Sequence, residues 1–490
     1  MRKFLTKSLP VAIALTLQAC YGTHDMNSIA VVEQGFMNPP DSVRIAAYWY
    51  WINGNLSPEG AVKDLLAMKK AGITRVQIGM IGLDGVPYGP VKYDSDVWWE
   101  TVHSALRTAG ELDIEVGMFN CPGWSQSGGP WVKPEQSMRR IATADTVVDV
   151  TGHLDLDLPE IIDNCGNVAV IAYPAFAMDG FSQTWNLTKN AGTALSATLK
   201  FDHQETVRSL EVKTSAPVRM HATVKAKIND TWTELKQFDI DRSNPELIVG
   251  FEPYAPIFIS LPETETDELL LETTDAGSGQ IAVTVSEMPK VERAMEKQLA
   301  KMCQTPLPMW DYYMWDNEPE YGSTEWSVNP ENVINLTDSL NDNHLSCRLP
   351  EGKWVISRYA MVPTGVTNSP ASAEATGLEI DKLNRTHLQA HFDAYIGEIL
   401  KRIPAHDRRT FRILVEDSYE TGGQNWTDGF AEKFQERYGY SPYPYLPVMQ
   451  GIPVGNNEKS SRFLWDLRRF VADLVATEYV GGLREIANRN

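Results

Sequence analysis

Arg44-Ile-Ala-Ala-Tyr-Trp-Tyr-Trp51 runs into the turn Asn53-Gly54-Asn55 and then into Ser57-Pro58-Glu59. The first run is dense in aromatic residues, the composition of a buried strand. Ser57 is a helix cap, Pro58 suits a first helical turn, and Glu59 sits near the positive helix end. Leu65, Leu66, Met68 and Ala71 give that helix an apolar stripe, and Gly72 stops it. Thr74–Met80 reads as the next strand, about Val97 to Leu112 as the next helix, and Ile114–Phe119 as a third strand. Strand and helix alternating at this spacing predict parallel βα units.

Beyond residue 141 the pattern changes. Val168–Ala172, Ala194–Phe201, Val207–Lys213, Val218–Ile228, Ile257–Leu261 and Ile281–Val285 are short β runs with turn signals between them. Their spacing predicts an inserted β-sandwich. Val291–Cys303 reads as a helix, followed by the aromatic loop Trp310–Trp315. Trp354–Val362 and Phe411–Val415 read as further strands, with helices within Asp381–Ile403, near Trp426–Tyr438 and over Ser461–Ile486. Five barrel-like strands result, whereas a closed (β/α)8 barrel needs eight. The expected fold is therefore α/β, a (β/α)8-type barrel incomplete at the C-terminus or a smaller open sheet. The expected division is a signal over 1–20, a tether over 21–41, first barrel units over 42–140 and the sandwich over 141–290. A connecting segment over 291–345 and further, truncated barrel units over 346–490 complete it.

Met1-Arg2-Lys3 and the short apolar run Leu9–Leu17 read as an export signal, too short to span a bilayer. Leu17-Gln18-Ala19-Cys20 matches a bacterial lipobox with Cys20 as the lipidated residue; an ordinary secretory signal is the alternative. Either way the expected location is outside the bacterial cytoplasm, as a periplasmic or cell-surface protein with a lipid anchor at most. The 490 residues carry 44 Lys+Arg against 64 Asp+Glu, a net charge of −20. Such a chain repels phosphate backbones, which argues against nucleic acid as a partner. The later cysteines, Cys121, Cys165, Cys303 and Cys347, are too widely spaced for a zinc motif. His387 and His391 are four apart but lack an evident third ligand.

Reactive residues of βα folds sit at the C-terminal ends of strands. Those ends carry Trp51 and Asn53, then Asn120 to Trp131 with Trp124, and then Glu374, Glu379 and Asp381. The last of them carries Glu416-Asp417-Ser418-Tyr419-Glu420, three carboxylates within five residues without an intervening Lys or Arg. Paired acids of this kind cleave glycosidic bonds: one protonates the leaving oxygen and the other activates water. Helix capping by Asp417 or Ser418 is the competing explanation. Glu374, Glu379 and Asp381 fit sugar hydroxyls or a hard cation, or else lie as surface acids near a helix start. The glycine- and tryptophan-dense 120–131 loop fits a sugar ring, or a tight turn that needs glycine.

Trp49-Tyr-Trp-Ile-Asn-Gly54, the Asn120–Trp131 loop, Glu374-Ala-Thr-Gly-Leu-Glu379, and Asp417-Ser-Tyr-Glu420 with Gln424-Asn-Trp-Thr427 together resemble glycoside hydrolase family 106. The order of these motifs is kept from about residue 35 onward. The resemblance implies α-L-rhamnosidase activity on a rhamnose-containing glycan, a (β/α)8 barrel with a β-sandwich insertion, and inversion by two glutamates. It also implies a calcium ion near the sugar. Glu420 matches the first glutamate; the second has no counterpart, which agrees with the strand count. The expected binding residues are Trp51, Asn53, Asn120, Trp124, Asp417 and Glu379. A non-catalytic, glycan-binding surface lipoprotein is the alternative function.

Overall fold

The computed structural model describes residues 29–40, 43–177, 180–190, 193–243, 250–274, 279–302, 315, 318–322 and 324–490. The export signal with Cys20, and residues 310–314 of the aromatic loop, lie outside them. The stretch expected as a tether contains a helix, α1 (Ile29–Met37), with no buried residue.

β1 (Ala46–Ile52) runs parallel to β2 (Arg75–Ile81), and β2 to β3 (Glu115–Phe119). The crossovers are α2 (Pro58–Lys70) and α3 (Asp96–Leu112). Ser57 Oγ accepts the Gly60 amide and Ser95 Oγ the Trp98 amide, so both helices start at side-chain caps. Leu65, Val102 and Leu106 pack with Trp49, Trp51, Val76, Ile78, Val116 and Met118 on one face of the sheet. Strand alternation turns Tyr48 and Tyr50 to the opposite face, where Tyr48 is 50% exposed.

The chain then turns antiparallel through β4 (Arg139–Val150), β5 (His153–Asp157) and β6 (Gly166–Pro174). Next come β7 (Ser182–Lys189), β8 (Ser196–Thr214), β9 (Arg219–Ile228), β10 (Thr231–Asp241), β11 (Ile257–Thr273) and β12 (Gly279–Ser286). These six form one sheet ordered β10-β9-β11-β8-β12-β7. Val207–Lys213 and all but the first two residues of Ala194–Phe201, read as two strands, fall within β8, a single strand of 19 residues. Register shifts at Ser260/Thr264 and Thr266/Glu268 interrupt its pairing with β11. Both halves of β8 enter one core, with Leu199, Leu210, Val224, Ile259, Leu271 and Val283.

β13 (Ile334–Asn335), β14 (Leu340–Asn341), β15 (His344–Arg348) and β16 (Gly352–Pro363) follow. The strands from 139 to 290 thus do not share one sheet: β4 and β6 flank β16 instead. The run Trp354–Val362, expected as a barrel strand, is antiparallel to both neighbours. Its Tyr359 and Met361 enter one core, and its Trp354 and Ile356 another. A strand buried on both faces is a near-continuous apolar run whichever way its neighbours point, so its composition carried no direction. The helix expected over Val291–Cys303 shrinks to Ala294–Lys297. Arg293 and Leu299 bracket it with left-handed φ of 52° and 70°, which α-helix geometry does not admit.

α4 (Arg385–Ala394) and α5 (Ile396–Arg402) lead to β17 (Phe411–Val415), which pairs parallel with β3. The parallel sheet therefore has four strands, β1-β2-β3-β17, and not five. α6 (Phe430–Tyr438), α7 (Asn457–Leu474) and α8 (Gly481–Arg489) follow, α7 and α8 being joined by a π-helical segment, Val475–Val480. The architecture is mixed α/β, one parallel sheet with antiparallel sheets beside it. No helix among the described residues is long and apolar enough to cross a membrane.

Candidate active site

The C-terminal ends of β1, β3 and β17 lie together. The loop after β3 is pressed against residues 368–379: a Cβ at Gly123, where φ is +90°, would stand 2.5 Å from the Ser369 carbonyl oxygen. That oxygen accepts the amides of Trp124 and Ser125, each at 3.0 Å. Glycine is required there for close approach. The same loop is tied to the segment after β17. The Ser418 amide donates to the Trp124 carbonyl at 3.3 Å, and the Gln126 side-chain amide donates to the Ser418 carbonyl. Asp417 to Glu420 open no helix; the next one, α6, begins at Phe430 behind Gly429. Helix capping does not account for these acids.

Aromatic rings line the open face beside them. Tyr48 and Tyr50 stack at 5.5 Å, Tyr48 lies 5.4 Å from Phe119, and Tyr50 lies 5.9 Å from Trp124. The Tyr48 hydroxyl donates to Asp417 Oδ1 at 3.0 Å, and that bond holds the phenol above its usual pKa. Tyr48, Tyr50, Trp124 and Asp417 thus share one open face, with Glu420 exposed three residues beyond Asp417. Four of the expected binding residues stand elsewhere: Asn120 and Glu379 are buried below this face, and Trp51 and Asn53 are engaged in the fold. Trp51 is in the helix-side core, edge-on to Trp49. Asn53 is spent on the turn after β2: its amide donates to Leu83 O at 2.8 Å and Val86 O at 2.7 Å, and its oxygen accepts the Leu83 amide at 2.7 Å.

Beneath the open face is a buried polar network that local sequence did not reveal. Glu379 and Lys382 have no side-chain exposure and meet at 2.6 Å. Glu379 also accepts Ser125 Oγ at 2.7 Å and the Ser127 amide at 3.1 Å. It is an interior ion-pair partner, not a surface acid. The Lys382 ammonium lies 4.8 Å over the ring of Tyr479, from the π-helical segment. The Tyr479 hydroxyl bonds Ser127 Oγ, which in turn accepts the Asn120 amide. Glu416 belongs here too: burial raises its pKa, and a hydrogen bond from Tyr479 opposes the rise. Its Oε1 is buried without a hydrogen-bond partner. π segments recur at functional sites because the extra residue re-aims a side chain. Here that side chain is Tyr479.

His391 completes the network and gives it a pH dependence. Its Nε2–H donates to Asn120 O at 2.8 Å, and its Nδ1 accepts Trp131 Nε1–H at 3.1 Å. Burial lowers its pKa to about 4, and a second ring proton would collide with the Trp131 donor. The unfolded chain binds this proton near pH 6.5 and the folded chain only near 4. Stability is therefore full above pH 6.5 and is lost as pH falls toward 4, by about 3 kcal/mol from this group. Denaturant melts across that window should be steeper for the wild type than for His391→Gln. Parallel profiles would remove His391 as the cause.

Asp381, His387 and Asp428 bring ligand atoms within 4.8 Å of one another, close enough to hold a metal. Asp381 is buried, so the surface-acid expectation fails for it as for Glu379. Its Oδ2 already accepts Arg139 at 3.0 Å and Thr427 at 2.5 Å, and its Oδ1 accepts Gln424 and the Leu383 amide. Arg139 reaches Asp428 at 2.7 Å as well. Against burial, which raises it, His387, Arg139 and Thr427 hold the Asp381 carboxyl below its usual pKa. A guanidinium and an imidazole in place of six to eight oxygens do not fit calcium. Among the described residues the cysteines Cys121, Cys165 and Cys347 are free, and burial pushes the Cys121 thiol up to about 12, far from a nucleophile.

Comparison with known proteins places this geometry. The solved rhamnosidase from Novosphingobium sp. PP1Y superposes with a TM-score of 0.76 at 27% identity, over 94% of this chain and 46% of that one. A putative beta-glucuronidase from Formosa agariphila is 27% identical over 476 residues, 96% of this chain and 31% of that protein. The chain thus spans less than half the length of either relative. Residues 37–490 match the family model described as alpha-L-rhamnosidase, and the chain belongs to that family, glycoside hydrolase family 106.

Proposed function

We infer that the protein acts on a glycan with terminal α-L-rhamnose, as an inverting glycosidase exported from a bacterial cell. The observation that carries this reading is the aromatic face with Asp417 at the ends of parallel strands, in a chain of the alpha-L-rhamnosidase family. Tyr50 and Trp124 offer apolar faces to a sugar ring, Asp417 a hydroxyl acceptor, and Glu420 the general acid. An inverting pair stands ~6.5–9.5 Å apart to admit water. Glu416 is turned to Tyr479 and Asp417 to Tyr48, so the partner of Glu420 comes from a different segment. The four parallel strands are proposed as part of a (β/α)8 barrel. Calcium rests on the family resemblance alone, and no step is assigned to it. Export and a lipid on Cys20 rest on the pattern of residues 1–20.

The reading of a binding-only surface lipoprotein is favoured by one observation among the described residues: the neighbouring carboxylates Glu416 and Asp417 are engaged by Tyr479 and Tyr48. Aryl α-L-rhamnoside and aryl β-D-glucuronide, incubated with the protein and followed by proton NMR, separate the readings. First appearance of β-L-rhamnose from the α-linked substrate supports inversion. First appearance of α-L-rhamnose defeats it, release of glucuronate alone moves the substrate class, and binding without release favours the second reading.

A further inference from the structure

A cleft lies outside the face described, where three elements meet on the helix side of the parallel sheet. Tyr93 and Asp94 come from the turn before α3, and Trp99 from its first turn. Trp131 comes from the loop after β3, and Glu398 and Arg402 from α5. They line a space of about 360 Å³, within the range of small-ligand sites. Trp131 stacks on Tyr395 at 5.3 Å and 13°, which fixes one wall. The other wall is held by charge: Trp99 Nε1 donates to Asp94 Oδ1 at 2.8 Å, and the Arg402 guanidinium lies 4.2 Å from the Trp99 ring centre.

The polar groups select the class of ligand. Arg402 Nε donates to Glu398 Oε2 at 3.1 Å, so its charge is already met. Glu398 Oε1 also accepts Lys401 Nζ at 2.9 Å, so at the rim the carboxylates of Asp94 and Glu398 are balanced by Arg402 and Lys401. Both cations are already paired to Glu398, which leaves little to draw in a phosphate or a uronate. Hydroxyl groups donate to carboxylates and accept from guanidinium N–H. Burial keeps the Tyr93 phenol protonated, a further donor at neutral pH. Flat aromatic walls with planar charged groups at the rim match a pyranose ring, which has apolar faces and equatorial hydroxyls.

We propose that this cleft binds one neutral pyranose unit of a glycan, separately from the open face at the ends of β1, β3 and β17. It rests on the proposed function only for the choice of probes, and hydrolysis is not its readout. The 490-residue chain labelled with 5-fluorotryptophan is titrated with methyl α-L-rhamnopyranoside, methyl β-D-galactopyranoside and methyl β-D-glucopyranoside. The Trp99 resonance, identified by its loss in Trp99→Phe, should shift and saturate with at least one of them. Glu398→Gln, at the rim, should weaken that response about tenfold. Three probes that leave Trp99 unmoved overturn the proposal, as does D-glucuronate binding more tightly than every neutral sugar, or Glu398→Gln with unchanged affinity. A chain that hydrolyses no rhamnoside and still shows the saturable Trp99 shift keeps this inference and moves the proposed function to its binding-only reading.

Discussion

Glu420→Gln, made in any form of the protein that hydrolyses rhamnosides, is expected to lose about 10²–10⁴-fold in turnover on a rhamnose-containing disaccharide. Rhamnose binding should survive, because the proposed contacts of the ring with Tyr50, Trp124 and Asp417 do not involve it. The size follows from the role: a sugar alkoxide leaves poorly unless its oxygen is protonated as the bond breaks. An aryl leaving group needs less help. A smaller loss on an aryl α-L-rhamnoside than on the disaccharide therefore identifies Glu420 as the acid. Equal losses assign it the base role, and near-normal turnover on both substrates removes it from the chemistry. Its neighbours predict contrasting phenotypes. Asp417 holds the Tyr48 hydroxyl, so Asp417→Asn should act mainly on KM. Glu416 faces the interior, so its loss should act through the Tyr479 network.

How much of this could be read from the sequence depends on where the information lies. The first three parallel strands and two helices were legible because cap, stripe and turn sit within a few residues of one another, as from Ser57 to Gly72. β16 was legible as a buried strand but not as an antiparallel one, since direction is set by β4 and β6, each more than 175 residues away in sequence. The open face was half legible. Aromatic density drew attention to the right strand, and period-two alternation, applied to Tyr48-Trp49-Tyr50-Trp51, separates the tyrosines on the open face from the tryptophans in the core. Trp124 and Asp417 were singled out from their position after strands and stand on the open face, whereas Asn120, singled out the same way, is buried. Glu379 was noticed as an acid, but the partner three residues on, Lys382, marks an ion pair only when both are known to be buried. Tyr479 left no local signal. It reaches the site through a π-helical segment, and one extra residue per turn is not visible in composition or periodicity.

The pair Glu379–Lys382 is where the fold and the open face are joined, and it carries the largest expected stability effect. Both side chains have no exposure. Taking two charges out of water costs several kcal/mol each, which their attraction offsets only while both are present and hydrogen-bonded. Here they are: Ser125 and the Ser127 amide complete the carboxylate, and the Ile380 carbonyl and the Tyr479 ring complete the ammonium. Lys382→Met should therefore cost about 3–5 kcal/mol, because it strands a buried carboxylate. The double variant Glu379→Gln with Lys382→Met should recover a large part of that cost, since no unpaired charge remains. Urea unfolding of the three proteins measures the coupling directly. A double variant as unstable as the sum of the singles, or a Lys382→Met variant within about 0.5 kcal/mol of wild type, the range of an ordinary surface change, would show that the pair is not what holds this interior. The functional consequence runs through Ser127. Its amide is bonded to Glu379 and its hydroxyl to Tyr479 and Asn120, so loosening the pair releases the loop that carries Trp124. Lys382→Met should then weaken sugar binding at the open face as well as stability, while the double variant, with an amide whose oxygen still accepts the Ser127 amide and whose NH2 can donate to Ser125 Oγ, should lose less of either.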